Sequence, residues 1–194
     1  MAHQKFDISK LEKLNDPGRF ETLRPDAMWT ALGAESPDAI VEIGAGTGLF
    51  SAEFSRRAPD ATVYAADLEP RMIEWMRAHR PEVATGAVVP LLSEESSVPL
   101  DDAVADAVFM VNLHHELADP HAIYREAFRL LKPHGKLLVV DWAPIETPKG
   151  PPQSIRISAR EAAGFLERAG FTGTRIHDGL PWHWLVVARK GGGA

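Results

Sequence analysis

The sequence predicts an α/β fold: a doubly wound sheet of seven strands, mostly parallel with the last strand antiparallel, and helices on both faces. Three observations carry this reading. Apolar runs of strand length alternate with stretches of helical period, the pattern of parallel strands joined by crossover helices. The first run, Ala39–Ile43, leads into a glycine-rich turn, Gly44-Ala45-Gly46-Thr47-Gly48, and then a helix. The last two runs are joined by only Asp178-Gly179-Leu180-Pro181, too short for a parallel crossover, so they are antiparallel neighbours.

The elements follow in order. Ile8, Leu11 and Leu14 share a helical face, and Asn15-Asp16-Pro17-Gly18 is a turn. Pro25 opens a helix that turns Met28, Trp29 and Leu32 toward a core and ends near Gly33. After the strand at 39–43, residues 47–57 are helical, with Leu49, Phe50 and Phe54 apolar. A second strand over 61–66 ends at Asp67, and Pro70 starts a helix to His79. Residues 87–92 read as a third strand, interrupted by Pro90. The run 104–113 is a strongly apolar fourth strand. Asp119-Pro120 caps a helix reaching about residue 131, which Pro133-His134-Gly135 stops before a fifth strand at 136–142. Residues 143–157 carry four prolines and read as a loop. Ser158-Ala159-Arg160-Glu161 is a capping box for a helix ending near Gly170, and 171–177 and 182–189 are the last strands. These predict one domain over 1–190, with a helical arm at 1–35, a core at 36–190 and a disordered tail at 191–194.

Composition sets bounds on function. At 194 residues, with 45% hydrophobic and 25% charged side chains, the chain has the make-up of a globular domain with a sizeable core. No apolar run approaches the ~20 residues of a membrane span, and the polar start, Met1-Ala2-His3-Gln4-Lys5, lacks the apolar core of a secretion signal, so a cytoplasmic location is expected. The absence of cysteine excludes disulfides, thiolate nucleophiles and sulfur-ligated metals. A net charge of −6 argues against a nucleic-acid surface.

The glycine turn has the spacing G-x-G-x-G, with Leu49 where a dinucleotide fingerprint places its third glycine. Glu42, Asp67, Glu94 and Glu95 lie at or just past the ends of the first three strands, and no Lys or Arg occurs in the turn. A pyrophosphate gains little there, whereas a cofactor with a sulfonium cation and no phosphate is suited. Asp67, 23 residues after Gly44, is placed to accept ribose hydroxyls, a device shared by nicotinamide enzymes; a plain helix-capping acid is its alternative.

The segments VEIGAGTGLF, VYAADLEPRM, VFMVNLHHELADP and LLKPHGKLLVVDW resemble, in order, the successive motifs of the Rossmann-like class I S-adenosylmethionine-dependent methyltransferases, and among them the ubiquinone/menaquinone-biosynthesis (type 11) group. The similarity covers about residues 35–190, and FDISKLEKLNDPGR resembles the N-terminal arm of small prokaryotic members. The resemblance implies S-adenosyl-L-methionine as cofactor. It places Glu42, Gly44, Ala45, Gly46 and Gly48 at the methionine moiety, Asp67 at the ribose and Leu68 against the adenine. Members carry Gly-Asp-Ala after the third strand; here Ser93-Glu94-Glu95 stands there, with Glu94 at the Asp position. Asn112 lies near the methionine moiety.

Methyl transfer from a sulfonium is an in-line displacement, so alignment supplies much of the catalysis and a base is needed only when the nucleophile must lose a proton. His114 and His115 are the catalytic candidates, since imidazole titrates near neutral pH; pairing with a loop carbonyl is the alternative for each. His115-Glu116-Leu117-Ala118-Asp119 departs from the H-E-x-x-H zinc pattern at its last position, so no metal is expected. Asp141-Trp142 either faces the substrate or caps and packs the strand end. The loop around Lys149 is long enough to cover a pocket, and Lys149 either meets an acidic substrate or is solvated. Trp182 and Trp184 alternate on a strand and are expected to share one face, packed in the core, with a substrate-stacking wall as the alternative. The arm either folds over the cofactor as a lid, burying Phe6 and Leu11, or covers the sheet edge.

The expected function is methylation of a small-molecule acceptor, without nucleic acid or a membrane span, and with a homodimer left open. A non-catalytic protein with the same pocket and a nicotinamide oxidoreductase are the rivals; the latter wants glycine at 49 and a fully parallel sheet. Arsenic methylation is disfavoured by the lack of cysteine.

Overall fold

The computed structural model describes residues 11–192. The strands are β1 (Ala39–Ile43), β2 (Thr62–Asp67), β3 (Val88–Leu92), β4 (Ala105–Val111), β5 (Leu131–Trp142), β6 (Phe171–His177) and β7 (His183–Lys190). They form one sheet in the order β3-β2-β1-β4-β5-β7-β6. All neighbours are parallel except β7, which runs antiparallel to both β5 and β6. The doubly wound sheet with its last strand reversed is therefore as expected.

Helices α3 (Pro25–Leu32), α4 (Leu49–Arg57) and α5 (Pro70–His79) cover one face, packing Met28, Phe54 and Met76 against Ile40, Phe109 and Leu185. Helices α7 (Pro120–Leu130) and α8 (Ala159–Arg168) cover the other, where Tyr124, Leu130 and Leu166 meet Val41, Met110 and Val186. With both faces covered, the central strands are apolar at successive positions instead of alternating, which is why they read as continuous runs. Caps hold several helix starts. Ser158 and Glu161 form the expected capping box, and Asp119 accepts from the amide of Ala122 at 3.2 Å.

Some boundaries differ from expectation. The helix read from 47 begins at Leu49, because Gly48 takes a left-handed conformation (φ 68°) that still belongs to the turn. β5 starts at Leu131, directly after α7, and the three residues read as a helix stop lie inside it. A register shift opposite Ala105 and Ala107 absorbs the Pro133-His134-Gly135 irregularity. Pro90 is tolerated because β3 is an edge strand, paired only with β2. Two short helices were not anticipated: α2 (Arg19–Leu23), after the short α1 (Leu11–Leu14), and α6 (Pro81–Ala84). Both are a turn or so long, below the length at which apolar periodicity signals a helix.

The tryptophans also part company. Trp184 is buried on the α7/α8 face and donates its indole N–H to the Ile157 carbonyl at 3.0 Å. Trp182 precedes β7, outside the alternation, and stacks instead on Trp142 at 6.3 Å between ring centroids. Of the arm, Phe6 and Ile8 lie outside the described residues, as do residues 193–194 of the tail.

Candidate functional site

The sheet order reverses between β1 and β4. From β1 the chain winds outward through β2 and β3, then returns to β4 on the other side. In an open α/β sheet this switch point opens a crevice at the carboxyl edge of the strands. A cleft of about 310 Å³ lies there, lined by the glycine turn, the ends of β2 and β4, the segment after β3 and the start of α7.

The turn is shaped by close approach. Gly44 is at φ 75°, and a Cβ there would lie 2.7 Å from a methyl of Leu113; one at Gly48 would lie 2.8 Å from the Met76 sulfur. At Gly46 a Cβ would meet the Leu14 side chain at 3.2 Å, so the arm lies over the turn. Arg80 ties the two together, donating to the Thr47 carbonyl at 2.7 Å and to the Asn15 side chain.

Glu42, Asp67, Glu94 and Glu95 line this space, together with Glu69, Glu116 and Asp119. Glu42 is only 2% exposed and accepts from the Ser51 hydroxyl of α4. Burial raises its pKa to about 8, with the Asp67 charge adding and Ser51 and Arg19 opposing. Asp67 accepts from the Gly46 amide at 2.7 Å and the Glu69 amide at 3.0 Å, which fixes its carboxylate at the cleft wall. Its pKa is also raised, by burial first and then by the Glu116 and Glu69 charges, against the two amide bonds. Glu94 and Glu95 line the cleft from a tight turn in which the Glu94 amide bonds the Ser97 carbonyl. Leu68, 39% exposed, adds an apolar surface. Asn112, at φ 56°, leaves its side-chain oxygen buried without a partner among the described residues.

The paired histidines diverge. His114 points into the second core, where its Nδ1 is 2.7 Å from the Tyr124 hydroxyl and its ring packs by Phe165 and Trp184; it does not line the cleft. Burial lowers its pKa. A one-residue step in the turn His114–Glu116 sends His115 the other way. Its Nδ1 lies 2.8 Å from the buried Asp141 carboxylate and its Nε2 3.6 Å from that of Glu116. Burial opposes the charge on His115, but the hydrogen bond to Asp141 and the nearby Glu116 carboxylate together outweigh it and raise its pKa to about 9. His115 is therefore an imidazolium at neutral pH. Glu116 is the member of this group that lines the cleft. Asp141 also caps its own strand end through the Trp142 amide at 2.7 Å, and Lys149 sits over the Trp182 ring.

Among the charged residues of the cleft, sequence reasoning missed Glu116 and Arg19, as well as Glu69 and Asp119. Glu116 was masked by the histidines beside it. Arg19 comes from the arm: its guanidinium donates to the Leu14 carbonyl at 2.8 Å, lies 5.1 Å from the Phe50 ring centre, and lines the cleft. Burial lowers its pKa to about 10, with Glu42 and Asp16 opposing. The only signal was an arginine just past the Asn15-Asp16-Pro17-Gly18 turn, which says nothing of what the arm will face.

A sheet reversed at its last strand, with an acidic glycine turn at the switch point, is the architecture of the class I S-adenosylmethionine-dependent methyltransferases. The chain belongs to the methyltransferase-domain family, whose model matches residues 41–139. A crystal structure of a SAM-dependent methyltransferase from Aquifex aeolicus superposes with a TM-score of 0.89 at 31% identity, covering 95% of this chain and 99% of that one. A malonyl-[acyl-carrier protein] O-methyltransferase of Hahella chejuensis is 35% identical over 53% of this chain and 36% of its own length. A demethylmenaquinone methyltransferase of Thermus thermophilus is 32% identical over 60% of this chain and 51% of its own. The chain thus matches about a third to a half of the length of these two curated relatives. No helix among the described residues is long and apolar enough to cross a membrane.

Proposed function

We propose that this chain transfers a methyl group from S-adenosylmethionine to a small-molecule acceptor. The observation that carries the proposal is the Asp67 carboxylate, held by the amides of Gly46 and Glu69 at the wall of the cleft it lines. That arrangement fits a pair of ribose hydroxyls. The rest of the cleft fits the other parts of the molecule. The unpaired Asn112 oxygen suits the amino group of the methionine moiety, and Arg19 suits its carboxylate. Glu42 lies on the side of the cleft where a sulfonium is expected; its pKa raised to about 8 by burial, it keeps its proton in the empty cleft and is drawn toward its ionised form by a bound cation, and Leu68, Glu94 and Glu95 border the space for the adenine. No lysine or arginine belongs to the glycine turn itself; of the cations beside it, Arg80 is tied to the Thr47 carbonyl and the Asn15 side chain, and Arg19 feels the Glu42 charge.

When bound, the sulfonium supplies an activated methyl group. The chain's own residues align the acceptor and, where needed, take its proton. His115, already protonated, is not the free base. In this reading Glu116 is the proton acceptor, His115 positions it, and Asp141 holds His115.

The test is calorimetric titration of wild type and Asp67→Ala with S-adenosylmethionine, S-adenosylhomocysteine and NAD. Loss of two hydrogen bonds to a charged group, at ~1.5–3 kcal/mol each, predicts affinity for the first two ligands falling by ~100-fold or more in the variant. Binding of NAD alone, or unchanged affinity in Asp67→Ala, overturns the proposal. Binding without turnover across a panel of phenols, amines and carboxylates favours the non-catalytic rival.

A further inference from the structure

The chain between β3 and β4 is irregular, yet it is anchored at both ends. At its start the Ser93 amide donates to the Asp67 carbonyl at 2.9 Å, and the Glu94 amide to the Ser97 carbonyl at 2.9 Å. Its second half is gripped by two side chains of α7, Glu126 and Arg129, one turn apart. Glu126 is buried and accepts from the Val98 amide at 2.7 Å. Arg129 donates to the carbonyls of Val98 at 3.1 Å and Leu100 at 2.8 Å, and to the Asp102 carboxylate at 2.7 Å. It also donates to both oxygens of Glu126, at 2.8 and 2.7 Å. These bonds occupy every N–H of the guanidinium. The Arg129 carbonyl in turn accepts from the Ala103 amide at 2.9 Å. Val98 is thus pinned by its amide, by its carbonyl and by a side chain buried in the second core.

A loop that only joins two strands has little use for a buried carboxylate, because taking Glu126 out of water costs about what its pairing returns. What the pair secures is position. Between the two anchors, residues 93–96 line the cleft. The same helix lines the cleft near its start, through Ala122 and Ile123, one turn before Glu126. Helix α7 therefore carries an apolar part of the wall and, through the clamp, fixes an acidic part beside it. We infer that Glu126 and Arg129 are positioning residues for cofactor recognition, holding Glu94 and Glu95 at a set distance from the α7 wall so that the cleft reads the edge of the adenine. Neither side chain lines the cleft; both act through the chain they hold. A carboxylate only accepts hydrogen bonds, so this wall favours the exocyclic amino group of adenine over the carbonyl that hypoxanthine carries there. Lysine at 129 keeps a charge for Glu126 but has one nitrogen, which cannot serve Val98, Leu100 and Asp102 together.

This inference rests on the methyltransferase reading, and its test separates the two. S-adenosylhomocysteine and its deaminated counterpart, S-inosylhomocysteine, are titrated calorimetrically into wild type and Arg129→Lys. Wild type is expected to prefer the adenine compound by ~10-fold or more, the scale of one hydrogen bond to a charged group. Arg129→Lys is expected to lose most of that preference, its affinity for the adenine compound falling while that for the hypoxanthine compound barely changes. A purely structural role for Arg129 lowers both affinities together and keeps their ratio; that result overturns the inference, as does a wild type that binds the two compounds equally. Failure of wild type to bind either compound sinks the methyltransferase reading itself. Should Arg129→Lys not fold, hydrogen exchange on the wild type decides. In the free protein the Val98 and Ala103 amides are expected to exchange as slowly as those of α7, and S-adenosylhomocysteine is expected to slow the amides of residues 94–97. A Val98 amide that exchanges as fast as that of Glu95, or residues 94–97 unaffected by the bound compound, overturns the clamp.

Discussion

Replacing Glu42 with Gln tests the electrostatics of the cleft without removing its geometry. Gln keeps an oxygen for the Ser51 hydroxyl and cannot ionise. In the folded chain Glu42 titrates at about 8 against an ordinary 4.5. The native state therefore keeps a proton that the unfolded chain has already lost. The stability contributed by the protonated acid is fully present below pH 4.5 and is lost as pH rises toward 8. At about 1.4 kcal/mol per pH unit, the gap amounts to ~5 kcal/mol at most. Urea unfolding of wild type and Glu42→Gln between pH 5.5 and 9 is expected to give diverging stabilities. The variant gains relative to wild type by ~1.4 kcal/mol per pH unit up to about pH 8, after which the difference is constant. Saturating S-adenosylmethionine narrows the difference more than S-adenosylhomocysteine does, because only the former carries a sulfonium charge in addition to the ammonium they share. Parallel curves for the two proteins across this range would refute the raised acidity of Glu42, and with it the picture of a cleft waiting for positive charge.

Two other outcomes follow from the same geometry. His115 titrates at about 9 in place of 6.5; the stability it contributes as an imidazolium is complete below pH 6.5 and disappears as pH rises through 9, so His115→Gln removes this component of the wild-type pH dependence in urea melts between pH 7 and 10, and identical profiles would return His115 to a passive role. Gly44→Ala forces a side chain into a left-handed backbone and against Leu113, costing ~1–3 kcal/mol and weakening S-adenosylhomocysteine binding; adding Leu113→Ala relieves the clash but not the backbone cost, and a Gly44→Ala protein as stable as wild type would show that the turn can relax.

Much of the scaffold was legible because its signals are local. Pro70 and His79 bound α5 as read, since proline at the first position and the apolar spacing act within one helix. The antiparallel end of the sheet followed from the length of a single connection. Misreadings arose where a distant partner decides. β5 reaches back to Leu131 because β4 offers it a place to pair, and Trp182 leaves the strand pattern to stack on Trp142, forty residues away in sequence.

The candidate site divides the same way. Glycines that need positive φ and carboxylates at strand ends advertise themselves, because backbone conformation and strand termination are encoded nearby. His114 and His115 look alike in sequence, yet one faces Tyr124 in a core and the other Asp141 and Glu116 at the cleft.

What the sequence determined alone was the layered α/β plan and the acidic, glycine-lined turn, both products of short-range propensity and apolar period. Only the tertiary structure decided that Arg19 of the arm feels the charge of Glu42, that Glu116 reaches the cleft, and that His183 is buried with neither ring nitrogen paired among the described residues. Each of those depends on which side chains are brought together from far apart in the chain, and on the loss of water that makes their charges matter.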